Sequence, residues 1–456
     1  MTESVKTPDR SEEFTSSEII PTDGPGNLKK SIQLNYIDRI FSIGVFFVGF
    51  LICFIRDPSI LLNPRLYAED GTFWFADAYN KGWWRPLLSP HTGYLQTFPR
   101  VIADIGLLVP LSHLPLLFAS VAVIVQVLPG AIVASRRFEH VIPRRGVRLL
   151  LAVLYFVIPN ASEVNGNLTN AQWHLALLAI LVVLAAPQGL AWKIFDVIII
   201  AFSGLTGPFV IALLPIAIII WVVRRKRWEF ILSAEVTVLT VIQITALLTS
   251  KRGNFGPLGI NLARFLKIFG GEIVGGTFFG QPTLESLQKN HFYLAICAGL
   301  FLAATILLFL VTLKAPLELR LFNLFACLVL AASLATPVVT PAGSQWQAMT
   351  GLNGSRYWFF PVISIIADVV WLSSYFDVSR FGASLKATPT KLVGVIGIVS
   401  IIVLLSFGVR EDWSYQPYLP VNWNAQVHRF DLTKSGQTFE FTTNPGPVWH
   451  FILKKH

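Results

Sequence analysis

The sequence predicts an all-α, polytopic membrane protein, and three observations carry that expectation. Apolar runs recur from residue 36 to residue 408, several of them near the roughly 20 residues that a crossing helix needs. The chain is 54% hydrophobic and only 14% charged, the balance of a multi-span membrane protein. The basic residues fall in short clusters between the runs, where lysine and arginine set topology. That distribution also answers the net charge of +10: it reads as orientation signals, and no nucleic-acid partner is expected.

Taken in order, residues 1–35 are polar and read as a disordered cytoplasmic tail. Residues 36–55 form the first span, an uncleaved anchor preceded by Lys29 and Lys30, which sets the N-terminus inside. An outer loop of about residues 56–114 follows, with the short apolar stretch 101–111 as an interfacial helix. Residues 115–134 cross back to Arg136, Arg137, Arg144, Arg145 and Arg148. Next come two pairs of short apolar runs: 149–158 with 175–186, and 194–202 with 209–223. Each pair is interrupted by helix-breaking residues, Pro159-Asn-Ala-Ser in one and Gly204-Leu-Thr-Gly-Pro in the other.

Read as turned-back pairs, these runs keep Arg136–Arg148 and Arg224–Arg227 on one side of the membrane. Broken helices at membrane depth are tolerated where they line an enclosed or watery cavity, so a cavity is expected at the outer side. Spans follow at 230–249, 292–313, 321–338, 357–372 and 392–408, giving about eleven crossings in a transmembrane domain of residues 36–409. Further outer loops are expected at 159–172, 250–291 and 339–356, and a cytoplasmic loop at 373–391. The external segment 410–456 ends in QTFEFTTNPGPVWHFIL, whose period-two aromatics predict a β-hairpin lid.

The polar groups gather in the outer loops. LYAEDGTFWFADAYNKGWWRPLLSPHTGYLQTFPR holds the adjacent acids Glu69 and Asp70 among aromatics that include Trp74, and ends in Arg100. Acids beside a bilayer mark a functional site by default, and a poorly solvated carboxylate can serve as a general base. Gly71 is read as leaving room for a ligand to approach. Arg356 stands at an outer span boundary, against the positive-inside bias, with Tyr357 beside it; its guanidinium fork suits a phosphate. Glu163, Asn170, Trp173 and His174 mark a polar stretch between two short helices, suited to hydrogen bonding and stacking on a sugar. The three cysteines have no metal-ligand spacing, and neither a metal nor a cofactor is expected.

These stretches carry a family resemblance: Glu69-Asp70 just after the first span, GYLQTFPR at 93–100, NLTNAQWHLALLA at 167–179 and SRYWFFP at 355–361. The chain resembles the GT-C class of integral membrane glycosyltransferases, and within it bacterial O-antigen glucosyltransferases and arabinose or mannose transferases. The resemblance implies a GT-C-like fold in a bacterial inner membrane and a polyprenyl-phosphate-linked sugar donor. It also implies a glycan or lipid acceptor, inverting transfer, and a catalytic acid at Asp70 or Glu69. Many members present Asp before Glu, whereas this chain has the reverse order, so both acids stay candidates, Asp70 ahead. The protein-glycosylating Trp-Trp-Asp motif is absent from the sequence. The rival class is a lipid-linked-sugar flippase or other transporter, which would use the same cavity without chemistry.

Overall fold

The computed structural model describes residues 25–250, 256–340, 342–374, 389–415, 420–446 and 449–456. The expectations for residues 1–24 and for most of the 373–391 loop lie outside them. The protein is mostly helical and, among the described residues, seven helices are long and apolar enough to cross a membrane: Asp38–Arg56, Leu111–Ala134, Arg227–Thr249, Tyr293–Lys314, Leu317–Ala335, Gly354–Ser373 and Leu392–Val409. They coincide with the seven long runs of the sequence. The other four expected crossings are shorter helices, Arg145–Phe156, Ala171–Leu184, Leu190–Gly204 and Phe209–Arg224, of 12, 14, 15 and 16 residues. By length and composition, seven helices qualify as spans among the described residues, and these four are shorter than a full crossing. The first helix also begins earlier than expected, at Pro25, so residues 25–35 are helical.

The two arginine clusters share one end of the bundle. Arg145 and Arg136 reach Asp38 at the start of the first span, at 2.6 and 3.4 Å. Arg137 forks onto the buried Asp196 at 2.7 and 2.8 Å and donates to Ala186 O at 3.3 Å. Arg224 donates to the adjoining Leu184 and Ala185 carbonyls at 2.7 and 3.2 Å, and pairs with Glu318 at 3.0 Å. Carbonyls 184–186 close a short helix and have no intrahelical donors; the arginines supply them. Each short pair therefore leaves this end and returns to it.

Opposite lie the loops. A π-helical turn, Asp70–Phe75, packs on Thr97–Gly106, the helix expected as interfacial. The loop after Arg227–Thr249 is built from short helices and a second π-helical stretch, Lys267–Gly275. The C-terminal segment folds as expected into a hairpin, β1 (Thr438–Thr442) and β2 (His450–Lys454), antiparallel with Phe441 opposite Phe451. Phe441, Phe451 and Leu453 are buried under the helix Trp423–Asp431, with ring centroids of Trp423 and Phe441 5.2 Å apart. Hydrogen bonds from distant segments dock this unit. The Trp423 indole donates to Leu111 O at 3.0 Å, and the Asn80 amide donates to Ile452 O at 2.8 Å while accepting from Lys454 N at 3.1 Å.

Candidate functional site

A cavity of about 1470 Å³ opens where the loops, the turns of both short pairs and the C-terminal segment meet. The breaks that the sequence marks as helix ends supply its walls: Asn160 to Glu163 from the first pair, Pro208 and Phe209 from the second. One flank is apolar, with Phe209, Pro215, Leu247, Leu328, Val329 and Ala332. The other carries Glu285, Glu411, Asp412 and Tyr415, and Pro445 and Trp449 reach over from the C-terminal segment.

Glu69 and Asp70 are adjacent in sequence but separated in role. The chain enters the π-turn through Ala68, whose φ of 45° is a left-handed conformation rare outside glycine. Tertiary contacts hold it there: residues 66–68 run beside Asn444, whose N–H donates to Leu66 O at 3.2 Å and whose carbonyl accepts from Ala68 N. Past this twist, Asp70 turns inward and is 1% exposed. Its Oδ1 accepts from Thr169 Oγ1 at 2.7 Å and its Oδ2 from Tyr67 N at 3.1 Å. Thr169 Oγ1 in turn accepts from the Trp74 indole at 3.2 Å. Burial pushes the Asp70 carboxyl up to about 7 despite those hydrogen bonds. Asp70 thus closes the turn onto the asparagine-rich stretch and does not line the cavity.

Glu69 is half-buried and lines the cavity. Burial raises its pKa above the ordinary carboxylate value; the Arg356 charge opposes that rise and Glu163 adds to it. Such a carboxylate is a better proton acceptor than one in water. Of the two acids, Glu69 is the one on the cavity lining. Gly71 is not an approach path either. A Cβ there would lie 2.6 Å from the Phe451 ring and 3.0 Å from Thr443, so the glycine lets the hairpin dock.

Arg356 lies across the cavity wall from Glu69, in an ion pair with Glu163. The same carboxylate accepts from Ser355 Oγ and from Arg356 N, both at 3.1 Å. Glu163 is itself fixed through its backbone carbonyl, which accepts the Asn167 and Asn170 amides at 2.9 Å each. Arg356 also donates to Val338 O and lies 4.9 Å from the Tyr357 ring centroid. Its side chain keeps 27% exposure and lines the cavity. Arg356, Glu163, Tyr357, Asn170, Trp173, Trp74 and Glu69 all line the cavity.

Two expected binding residues lie elsewhere. Arg100 pairs with Asp77 at 3.0 Å beneath the Trp74 ring, 5.0 Å from its centroid; it props the aromatic wall from behind. His174 is held between Tyr155 Oη at 2.8 Å and Val164 O at 3.0 Å, inside the helical core. Trp173 does not present a face for stacking, because Phe209, Tyr357 and Phe360 surround its ring at 4.7, 6.0 and 5.9 Å.

Other cavity residues were not singled out in sequence. Gln96 and Gln172 join at 3.2 Å on the cavity lining, and Gln96 Oε1 and the Trp173 indole nitrogen have no hydrogen-bond partner. Arg56 lines the cavity too, but donates to the carbonyls of Trp413, Phe156, Ile158 and Asp412 at 2.8–3.2 Å, which makes it a brace. A glutamine beside an apolar helix start was the available signal for Gln172; nothing local marked Gln96. His91, also on the lining, is pushed down to about 4 by burial, helped by Arg100. It is neutral at neutral pH. A scan of the chain against protein-family models and against curated proteins gives no match.

Proposed function

We propose that this chain is a GT-C-type glycosyltransferase that moves a sugar from a polyprenyl-phosphate donor to a glycan or lipid acceptor at the outer face of a bacterial inner membrane. In this reading the short helices complete about eleven passes, the arginine-rich end is cytoplasmic, and the cavity and C-terminal hairpin are external. One observation carries the reading. A half-buried carboxylate with raised proton affinity, Glu69, shares a large cavity with a partly exposed arginine side chain, Arg356, at the end of the bundle opposite the arginine clusters.

The chemistry assigns roles to these groups. The acceptor hydroxyl gives its proton to Glu69 as its oxygen attacks the anomeric carbon. The bond from that carbon to the phosphate oxygen breaks on the opposite face, and its electron pair leaves on the phosphate. Arg356 stabilises the released charge, oriented by Glu163 and the Val338 carbonyl. Attack opposite the leaving group inverts the anomeric centre. The apolar flank suits the isoprenoid tail, while Gln96, Gln172 and the Trp173 N–H suit sugar hydroxyls. Asp70 is a positioning residue that holds the turn from which Glu69 projects.

The test is product formation by purified protein in detergent, with a synthetic short-chain polyprenyl-phosphate sugar and an acceptor panel, read by mass spectrometry. A glycosylated acceptor is the expected result. Donor binding without any product, across neutral hexose and pentose donors, would move the assignment to a transporter.

A further inference from the structure

A second cavity lies at the arginine-rich end, away from the candidate site. It has a volume of about 390 Å³ between the helices Leu114–Ala134, Arg145–Phe156, Ala171–Leu184, Leu317–Ala335 and Gly354–Ser373. Its walls are apolar: Val133, Leu151, Leu181, Phe322, Ile366 and Val370. Small residues, Ala152 and Ala367, are among those along its length. An apolar void of this size gains nothing from water, which needs polar partners.

The charges around it are unequal. Glu318 on its lining is already paired with Arg224 at 3.0 Å. Of the neighbouring arginines, Arg136 and Arg145 reach Asp38, Arg137 reaches Asp196, and Arg148 donates to the Ala134, Ile142 and Pro143 carbonyls. Arg144 is exposed and lines the crevice, and its guanidinium has no ion-pair or hydrogen-bond partner among the described residues. An apolar slot between membrane helices with a spare guanidinium at its edge matches one occupant in both parts. Acyl chain fills the slot, and an anionic headgroup meets Arg144. Basic pockets between membrane helices on the cytoplasmic side recognise lipid in this manner.

We propose that this crevice binds one anionic glycerophospholipid, its acyl chain among Leu181, Phe322 and Ile366 and its headgroup on Arg144. The site is independent of the transfer reaction. Two probes of equal chain length separate specific from annular binding: dioleoyl phosphatidylglycerol and dioleoyl phosphatidylcholine, titrated into delipidated full-length protein in neutral detergent. Native mass spectrometry should show one retained phosphatidylglycerol under conditions that strip phosphatidylcholine, and the melting temperature should rise with the former alone. Arg144→Gln removes one charge-assisted contact and should weaken phosphatidylglycerol binding about fivefold without changing the response to phosphatidylcholine. Arg144 is on the surface, so this variant does not threaten folding. Ala367→Phe fills the slot and should remove the retained lipid. Equal retention of both lipids, or wild-type retention by Arg144→Gln and Ala367→Phe together, overturns the proposal.

Discussion

Replacing each of the two adjacent acids by its amide separates a proton acceptor from a structural ligand. Glu69→Gln keeps the size of a side chain that lines the cavity and removes its ability to take a proton. Loss of a general base costs roughly 10²–10⁴-fold in turnover, or about 3–5 kcal/mol of transition-state stabilisation. Asp70→Asn acts inside a closed network. The amide oxygen can accept from Tyr67 N, where Oδ2 sits at 3.1 Å, and the amide nitrogen can donate to Thr169 Oγ1, where Oδ1 sits at 2.7 Å. The Thr169 hydroxyl then turns to Tyr67 O, already 3.4 Å away, and still accepts from Trp74. Every donor already in the network keeps a partner and the second amide hydrogen is left without one, so the expected cost is about 1–3 kcal/mol of stability, with a smaller loss in rate than for Glu69→Gln. Asp70→Ala leaves the Tyr67 N–H and Thr169 hydroxyl poorly matched in a sealed site, at about 1–3 kcal/mol each. Single-turnover transfer by the three variants, with donor affinity measured in parallel, is the assay. An inactive Asp70→Asn beside a near-normal Glu69→Gln would refute the assignment drawn from cavity exposure.

Four further outcomes follow from the same geometry. Because burial raises the Glu69 pKa, the acid limb of kcat/KM should lie above the usual glutamate value, and the residual activity of Glu69→Gln should lack that limb. Asp70, raised from 3.8 to about 7, binds its proton more tightly folded than unfolded. Its contribution to stability is therefore full below about pH 4 and is lost as pH rises through 7, so melting temperatures of Asp70→Asn should vary less over that window than wild type. Arg356→Lys keeps charge and loses the fork that reaches Glu163 and Val338 together; it should raise donor KM or cut turnover by tenfold or more, about the value of one charged hydrogen bond, and wild-type kinetics would leave it an interfacial anchor. Gly71→Ala should loosen the hairpin by about 1–3 kcal/mol through contact with Phe451, and Phe451→Leu should recover part of that loss in thermal unfolding.

Reporter fusions after Val147 and after Lys226 should both report the cytoplasmic side, since Arg137 and Arg224 bind neighbouring carbonyls of one helix end. An outside report from either would remove the topology proposed for the short pairs.

The sequence by itself determined the class of fold and its seven long helices, because hydropathy over twenty residues is a local property that burial in lipid reads directly. It also located the helix breaks at Pro159 and at 204–208, and the hairpin, since proline geometry and period-two alternation act within a few residues. It brought Glu69, Glu163 and Arg356 forward as exceptional polar groups, and all three line one cavity. It did not distinguish Glu69 from Asp70, nor Arg356 from Arg100. Those outcomes rest on partners far along the chain. Thr169, 99 residues away, takes Asp70; Asn444 imposes the left-handed turn at Ala68; and Asp77 claims Arg100. Likewise Gly71, free in sequence, meets Phe451 of the C-terminal hairpin. Which of two like charges is spent on structure, and which is left facing a cavity, depends on where the remaining donors and acceptors fall once the chain has packed, and only the tertiary structure decides that.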